Sequence, residues 1–285
     1  MNEDAGSMNR VFKSGAGAVV TKSIGLKPRP GYPNPTAIEL EHGILNSMGL
    51  PNPGIKNFSE EIKELKTLKI PVIGSIFGAN SKEFVELSEK MQQYGADAIE
   101  LNMSCPHAKG LGLETGSNPK IVKEITSNVK KSVKIPVFVK ISPNLTNIVE
   151  IAKAAENAKA DAIVAINTVK AMKIDLETKM PILSNKIGGY SGKAIKPIGV
   201  RCVYEISKNI KTPVIGVGGI TNGEDAIEYL MAGASAVEIG SAIYYRGIDV
   251  FEKVCKEIEK WMEKHNYKNL SELIGASQIL SLIHI

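Results

Sequence analysis

Within six residues, Asn102 to His107, the chain gathers a carboxamide, a hydroxyl, a thiol and an imidazole, on Asn102, Ser104, Cys105 and His107. They close an apolar strand pattern (Ala98, Ile99, Leu101) that breaks at Pro106 into a loop carrying Lys109, Gly110, Gly112 and Gly116. A cysteine in such a place can serve as nucleophile or base, whereas a structural cysteine packs as a small hydrophobe. A hydrolytic site needs a base partner and an oxyanion hole; His107 is near, but no further partner stands out in the sequence. A redox site needs a general base beside a bound cofactor, with cations to support negative charge on it. Lys140, flanked by apolar residues in VFVKIS, must aim its ammonium at an anion or a ligand, because burial without one is costly. Lys22 in VVTKS makes the same demand.

Those groups have to be positioned, and the chain repeats one unit for doing so. Short Val- and Ile-rich runs alternate with longer amphipathic segments, the pattern of β–α units around a parallel sheet. Seven strands are expected, at 18–23, 70–77, 98–104, 136–142, 162–168, 213–218 and 236–241. Helices are expected between them, started by Asn57 or Ser59, by Ser81, by Asn118 with Pro119, by Asn144 or Thr146, by Lys196 with Pro197 and by Asn222. A last helix runs from Val250 to about His265. The fold class is thus α/β, a (β/α)8 TIM barrel, which has eight strands. The last two strands, GVGGI and EIGSA, end in small residues whose backbone could cradle a phosphate, and in such barrels the phosphate site follows strands seven and eight. The expectation is a barrel lacking its first strand at the N-terminus, with an open seven-stranded barrel as the alternative. Residues 1–276 then form a single domain, and the apolar stretch 277–285 a tail, either non-native sequence or a dimer contact.

In an α/β barrel the C-terminal strand ends build the site. Here they carry Thr21, Lys22 and Ser23; Ser75; Asn102, Ser104 and Cys105; Lys140 and Ser142; Asn167 and Thr168; Gly218 and Gly219; Gly240 and Ser241. GGYSG (188–192) and NSMGLPNPG (46–54) add a glycine-rich segment and a tight turn. Phosphate cradle, two lysines and carboxamides together favour the redox site, with flavin mononucleotide (FMN) as cofactor.

Composition narrows the classes further. The 285 residues are 43% hydrophobic and 23% charged, with a net charge of +5 from 35 Lys and Arg interspersed with 30 Asp and Glu. No basic block or aromatic–basic stripe points to nucleic acid. No apolar run reaches the ~18 residues of a membrane span, and the N-terminus has no signal-peptide core. The cysteines, at 105, 202 and 255, are too scattered for a disulfide framework, zinc or iron–sulfur site, so no metal site and a cytoplasmic location are expected. Cys202 and Cys255 are both expected in the core.

The strings VVTKSI, NSMGLPN, ELNMSCP, VFVKISPN, INTVKAMKIDLETKMPIL, GGYSGKAIKPIGVR, IGVGGI and AGASAVEIGSA, in that order between about residues 10 and 276, resemble the class 1 dihydroorotate dehydrogenases, notably their NAD-linked subtype. The resemblance implies an FMN-containing barrel that oxidises (S)-dihydroorotate to orotate in pyrimidine synthesis, Cys105 taking the C5 proton while the C6 hydride passes to flavin N5. It implies that Asn46, Met48, Gly49, Leu50, Asn102, Asn167 and Thr168 hold the substrate, with Lys22 near both substrate and flavin. Ser23, Asn102, Lys140, Ile166 and Gly192 would contact the flavin, and Gly218, Gly219, Gly240 and Ser241 its phosphate. The implied partners are an electron-transfer subunit with FAD and an iron–sulfur cluster, and a second copy in a homodimer. Three departures stand out: His107 where the family reads SCPN, Ser75 where many members have an asparagine, and the absent first strand. His107 is similar to the dihydropyrimidine dehydrogenases, whose loop also reads SCPH, and keeps that substrate class open.

Overall fold

The computed structural model describes residues 3–103 and 116–279. Its elements in chain order begin with α1 (Ala5–Lys13), β1 (Val19–Val20), β2 (Ala37–Leu40), β3 (Gly43–Asn46), α2 (Ser59–Thr67), β4 (Val72–Ile76), α3 (Ser81–Tyr94) and β5 (Ala98–Asn102). There follow α4 (Pro119–Ser132), β6 (Val137–Ile141), α5 (Ile148–Asn157), β7 (Ala162–Ala165), β8 (Val169–Ala171), β9 (Ile174–Asp175), β10 (Met180–Pro181) and β11 (Gly188–Ser191). The chain continues through α6 (Lys196–Ser207), β12 (Val214–Val217), α7 (Gly223–Met231), β13 (Ala236–Glu238), α8 (Ala242–Arg246), α9 (Val250–Lys264) and α10 (Ala276–Ile279).

Seven strands pair in parallel in the order β1-β4-β5-β6-β7-β12-β13. Each falls within one of the seven runs read from the sequence. Their residues alternate: Val137, Val139 and Ile141 of β6 are buried, while Phe138 and Lys140 between them are only partly covered. The buried set packs on the helices with Ile99, Leu101, Phe84, Leu87, Met91, Val122, Ile125 and Val129 in one core. Each such aliphatic side chain contributes about 1.5–3 kcal/mol. The other set faces the inside of the curl. Lys140 on β6 reaches Glu238 on β13 at 3.1 Å, although three strand steps of ~4.8 Å would put them roughly 14 Å apart on a flat sheet. The sheet is therefore rolled, as in an incomplete (β/α)8 barrel. Among the described residues no strand pairs with the outer edges of β1 and β13, the position expected for a first strand.

A second sheet, antiparallel in the order β2-β3-β11-β8, was not expected. Its strands have three or four residues, and the β2–β3 hairpin joins β11 across a long sequence separation, as in Tyr190 with Leu45. GGYSG thus lies almost wholly in a strand rather than in a free loop, whereas NSMGLPNPG starts on the last residue of β3 and runs on into the expected turn.

Other expectations change in detail. Asn80, not Ser81, caps α3 by accepting from Glu83 N at 3.1 Å, while Ser81 Oγ accepts from Asn128 Nδ2 at 2.8 Å. Asn147 caps α5, because the Asn144 side chain is taken up by Ser142 Oγ, the Thr168 carbonyl and Lys170 N. At α2 the cap position is Phe58, with Ser59 the first helical residue. Asn118 and Asn222 cap their helices as expected. Cys202 is buried, but Cys255 is exposed: it follows buried Val254 on α9, and one residue turns about 100° away from the packed face. Ser277 and Gln278 bond the Met231 and Ala232 carbonyls at the end of α7; residues 280–285 lie outside the described residues.

Candidate active site

At the C-terminal strand ends the polar groups named from sequence form a connected chain. Asn167 Nδ2 donates to Asn102 Oδ1 at 3.4 Å, and Asn102 Nδ2 donates to Ser23 Oγ at 2.9 Å. Ser23 Oγ lies 2.9 Å from Ser75 Oγ, and Ser75 Oγ donates to Glu100 Oε1 at 3.0 Å. Because Ser75 spends its single proton on the carboxylate, Ser23 is the donor in the serine pair. Beyond Glu100 stands Lys140, its ammonium 3.6 Å from Glu100 Oε2 and 3.1 Å from Glu238 Oε2. Sequence alternation explains the alignment: Glu100 precedes Asn102 by two residues, and Glu238 precedes Gly240 by two, so each shares its neighbour's face.

One ammonium therefore sits between two carboxylates in a largely dry interior. Glu100 is 2% exposed. Burial raises its carboxyl, with the charge of Glu238 adding to the effect and Lys140 opposing it, to about 7. Burial works to lower Lys140, but Glu100 and Glu238 outweigh it and hold the ammonium above the ordinary lysine range. Glu100 and Glu238 were missed as site residues. The available signal was a charged residue in the inward register of an otherwise apolar strand.

Beside this chain of contacts lies a cavity of about 150 Å³. It is lined by Lys140, Ile166, Asn167 and Thr168 together with Gly192, Gly218, Gly219, Gly240, Ser241 and Glu238. Seven of the ten residues expected around a flavin thus meet there (Lys140, Ile166, Gly192, Gly218, Gly219, Gly240 and Ser241), and Ser23 and Asn102 join through hydrogen bonds. The glycines fit close backbone approach. Gly219 has φ +73°, and a Cβ on it would come 2.7 Å from the Gly192 carbonyl oxygen. At Gly240 a Cβ would meet nothing within 4 Å, so open space faces that backbone. The cavity is smaller than the ~300–1,000 Å³ of whole small-molecule sites, and suits one end of a flavin nucleotide.

The loops around it are pinned. Tyr229 Oη, on α7, donates to the Gly218 carbonyl at 2.7 Å. Asp225 accepts from the Thr221 hydroxyl at 2.6 Å and pairs with Lys196 at 2.8 Å, which holds its carboxyl below the usual range against the effect of burial. Arg246 bonds the Thr221 carbonyl and both oxygens of Glu257, and Glu257 accepts from Gly223 N.

The residues expected around the substrate divide. Asn167 and Thr168 stand at the cavity, Thr168 N donating to Asn167 Oδ1 at 2.8 Å, and Asn102 is reached through its hydrogen bond from Asn167. Asn46 ends β3, pairs with Gly189 and donates to its carbonyl at 3.4 Å. Met48, Gly49 and Leu50 form a separate turn with φ +76° at Gly49 and +57° at Leu50, and do not line the cavity. Lys22 is paired with Glu3 at 3.2 Å. Cys105 and His107 lie outside the described residues.

The family model "Dihydroorotate dehydrogenase" matches residues 1–262. A Methanocaldococcus jannaschii protein named "Dihydroorotate dehydrogenase B (NAD(+)), catalytic subunit" is 54% identical over 279 residues, 96% of this chain and 90% of its own length. Proteins of the same name from Thermoplasma volcanium and Pyrococcus furiosus are 52% and 51% identical, covering 97% and 95% of this chain and 91% and 90% of their own. With the strand-end asparagines, the lysine and the glycine cradle in place on a rolled parallel sheet, the chain belongs to the dihydroorotate dehydrogenase family.

Proposed function

We propose that this chain is a catalytic subunit that oxidises (S)-dihydroorotate to orotate in pyrimidine biosynthesis, with FMN as cofactor. The observation that carries the reading is the convergence of Lys140, Asn167 and the Gly218–Gly219 and Gly240–Ser241 backbones on one cavity, with Asn102 hydrogen-bonded to Asn167, in a chain half identical to proteins bearing that name. Gly218, Gly219, Gly240 and Ser241 would hold the phosphate, and Ser23, Lys140, Ile166 and Gly192 the rest of the flavin, with Lys22 between flavin and substrate. Bound FMN supplies the two-electron acceptor. Asn102 and Asn167, locked to each other, present amides of fixed orientation to a planar, carboxylate-bearing ring together with Thr168. Asn46, Met48, Gly49 and Leu50 would complete that grip. Cys105, three residues beyond the end of β5 in sequence, is the base in this reading; an ordinary thiol titrates near pH ~8.5, so alkaline conditions favour it.

The relatives' names, "catalytic subunit", support a partner subunit. We assign to it FAD and an iron–sulfur cluster, and to this chain a homodimeric core and a cytoplasmic location. The test is anaerobic titration of the FMN-loaded chain. Dihydroorotate is expected to bleach the flavin absorbance and dihydrouracil to leave it, with the reverse outcome favouring the dihydropyrimidine class that His107 keeps open.

A further inference from the structure

The assignments above leave Glu238 without a role, although it lines the same cavity as Lys140. Its side chain is 17% exposed, Oε2 accepts from Lys140 Nζ at 3.1 Å, and Oε1 is buried with no hydrogen-bond partner among the described residues. On the other side of the ammonium, Glu100 Oε2 is likewise buried without a hydrogen bond, 3.6 Å away. One carboxylate is enough to neutralise a buried lysine. A second, whenever it is ionised, leaves excess negative charge where removing ions from water is already unfavourable, and the raised Glu100 carboxyl reflects that strain. A purely structural ion pair does not explain that excess, nor why the second carboxylate stands on the cavity wall rather than deeper in the core.

We propose that Glu238 is a positioning residue for Lys140: it draws the ammonium toward β13 and offsets its charge, so that the cavity favours a negatively charged flavin less strongly than a free lysine would. This rests on the reading that FMN occupies the cavity. The effect is to weaken the hold on reduced, anionic flavin relative to oxidised flavin, which suits a chain that hands its electrons on. Loss of the Glu238 charge is only partly compensated by Glu100, whose carboxyl would then ionise more readily.

The test is the ratio of affinities for reduced and oxidised FMN, read as a midpoint potential by anaerobic equilibration with a reference dye. For Glu238→Gln the ratio is expected to rise about tenfold, a positive shift of about 30 mV for a two-electron couple. Glu238→Asp, which keeps the charge, is expected to stay within about threefold of the wild-type ratio, that is within half of that shift on a logarithmic scale. Glu238→Met gives a second neutral replacement, with the same expectation as Gln, should the amide variant not fold. An unchanged or lowered ratio in the neutral variants, or an equal rise in Glu238→Asp, overturns the proposal while leaving the functional reading intact. A wild-type chain that takes up no FMN overturns both.

Discussion

Tyr229 and Gly199 offer a measurement of how the glycine loop is held. The Tyr229 ring is fully buried, and its hydroxyl donates to the Gly218 carbonyl at 2.7 Å. Replacing it with Phe removes one net hydrogen bond and leaves the carbonyl of half-buried Gly218 short of a donor, a cost of about 1–3 kcal/mol. In a chain of this size that lowers Tm by roughly 2–12 °C, at 2–4 °C per kcal/mol. Gly199, in α6, is in contact with the same group: a Cβ there would lie 1.8 Å from the Tyr229 hydroxyl oxygen and 2.9 Å from Cζ. Gly199→Ala alone should gain about 1 kcal/mol of helix propensity but lose more to overpacking, at 1–3 kcal/mol or above for such a clash. In the Tyr229→Phe background the shortest contact vanishes and those to Cζ and, at 3.4 Å, Cε1 remain. The double variant is therefore expected to be less destabilised than the sum of the singles, by about 1 kcal/mol or more, within the range for contacting pairs. Thermal and denaturant unfolding of the four chains measures the coupling, and fluorescence quenching of FMN on binding reports whether the loop has loosened, with weaker binding expected for Tyr229→Phe. Additive singles, or a Tyr229→Phe chain with unchanged Tm and FMN affinity, would refute the view that this hydroxyl pins the loop.

Three further outcomes are expected. Burial holds the Glu100 carboxyl at about 7 against an ordinary value of 4.5, so between those values the folded chain binds more protons than the unfolded one. Stability from this group is thus full below about pH 4.5 and falls as pH rises toward 7, by on the order of 3 kcal/mol; Glu100→Gln should flatten that segment of the Tm–pH curve, and an identical slope would count against the assignment. Cys105→Ser should slow flavin bleaching by dihydroorotate at neutral pH by about 10²-fold or more, as for loss of a general base, and an unchanged rate would remove Cys105 from that role. In a Cys105→Ser background a thiol reagent should modify exposed Cys255 in the native chain and buried Cys202, whose thiol burial pushes up to about 11, only after denaturation; rapid modification of two thiols would contradict the packing of α6.

The parallel strands and their helices were legible because each is specified locally: Val137, Val139 and Ile141 alternate, Asn118–Pro119 and Asn222 announce helix starts, and each unit repeats. The second sheet was not, because Leu45 finds Tyr190 across 145 positions and strands this short leave no periodic trace. The site divides along the same line. Asn102, Lys140 and the glycines stand at strand ends, where barrel topology alone directs them to a common mouth. Glu100 and Glu238 lie one step deeper: Glu100 reaches Lys140 from the adjacent strand β5, whereas Glu238 does so only because the sheet closes far enough for β13 to face β6. That curvature turns a lysine already beside one carboxylate of the adjacent strand into one held by two. A buried charge read from sequence therefore signals that a counter-charge must exist, and the roll of the sheet decides whether the protein or its ligand supplies it. Here the protein supplies it twice, which makes the surplus carboxylate on the cavity wall, rather than the lysine, the residue whose replacement should be the more informative.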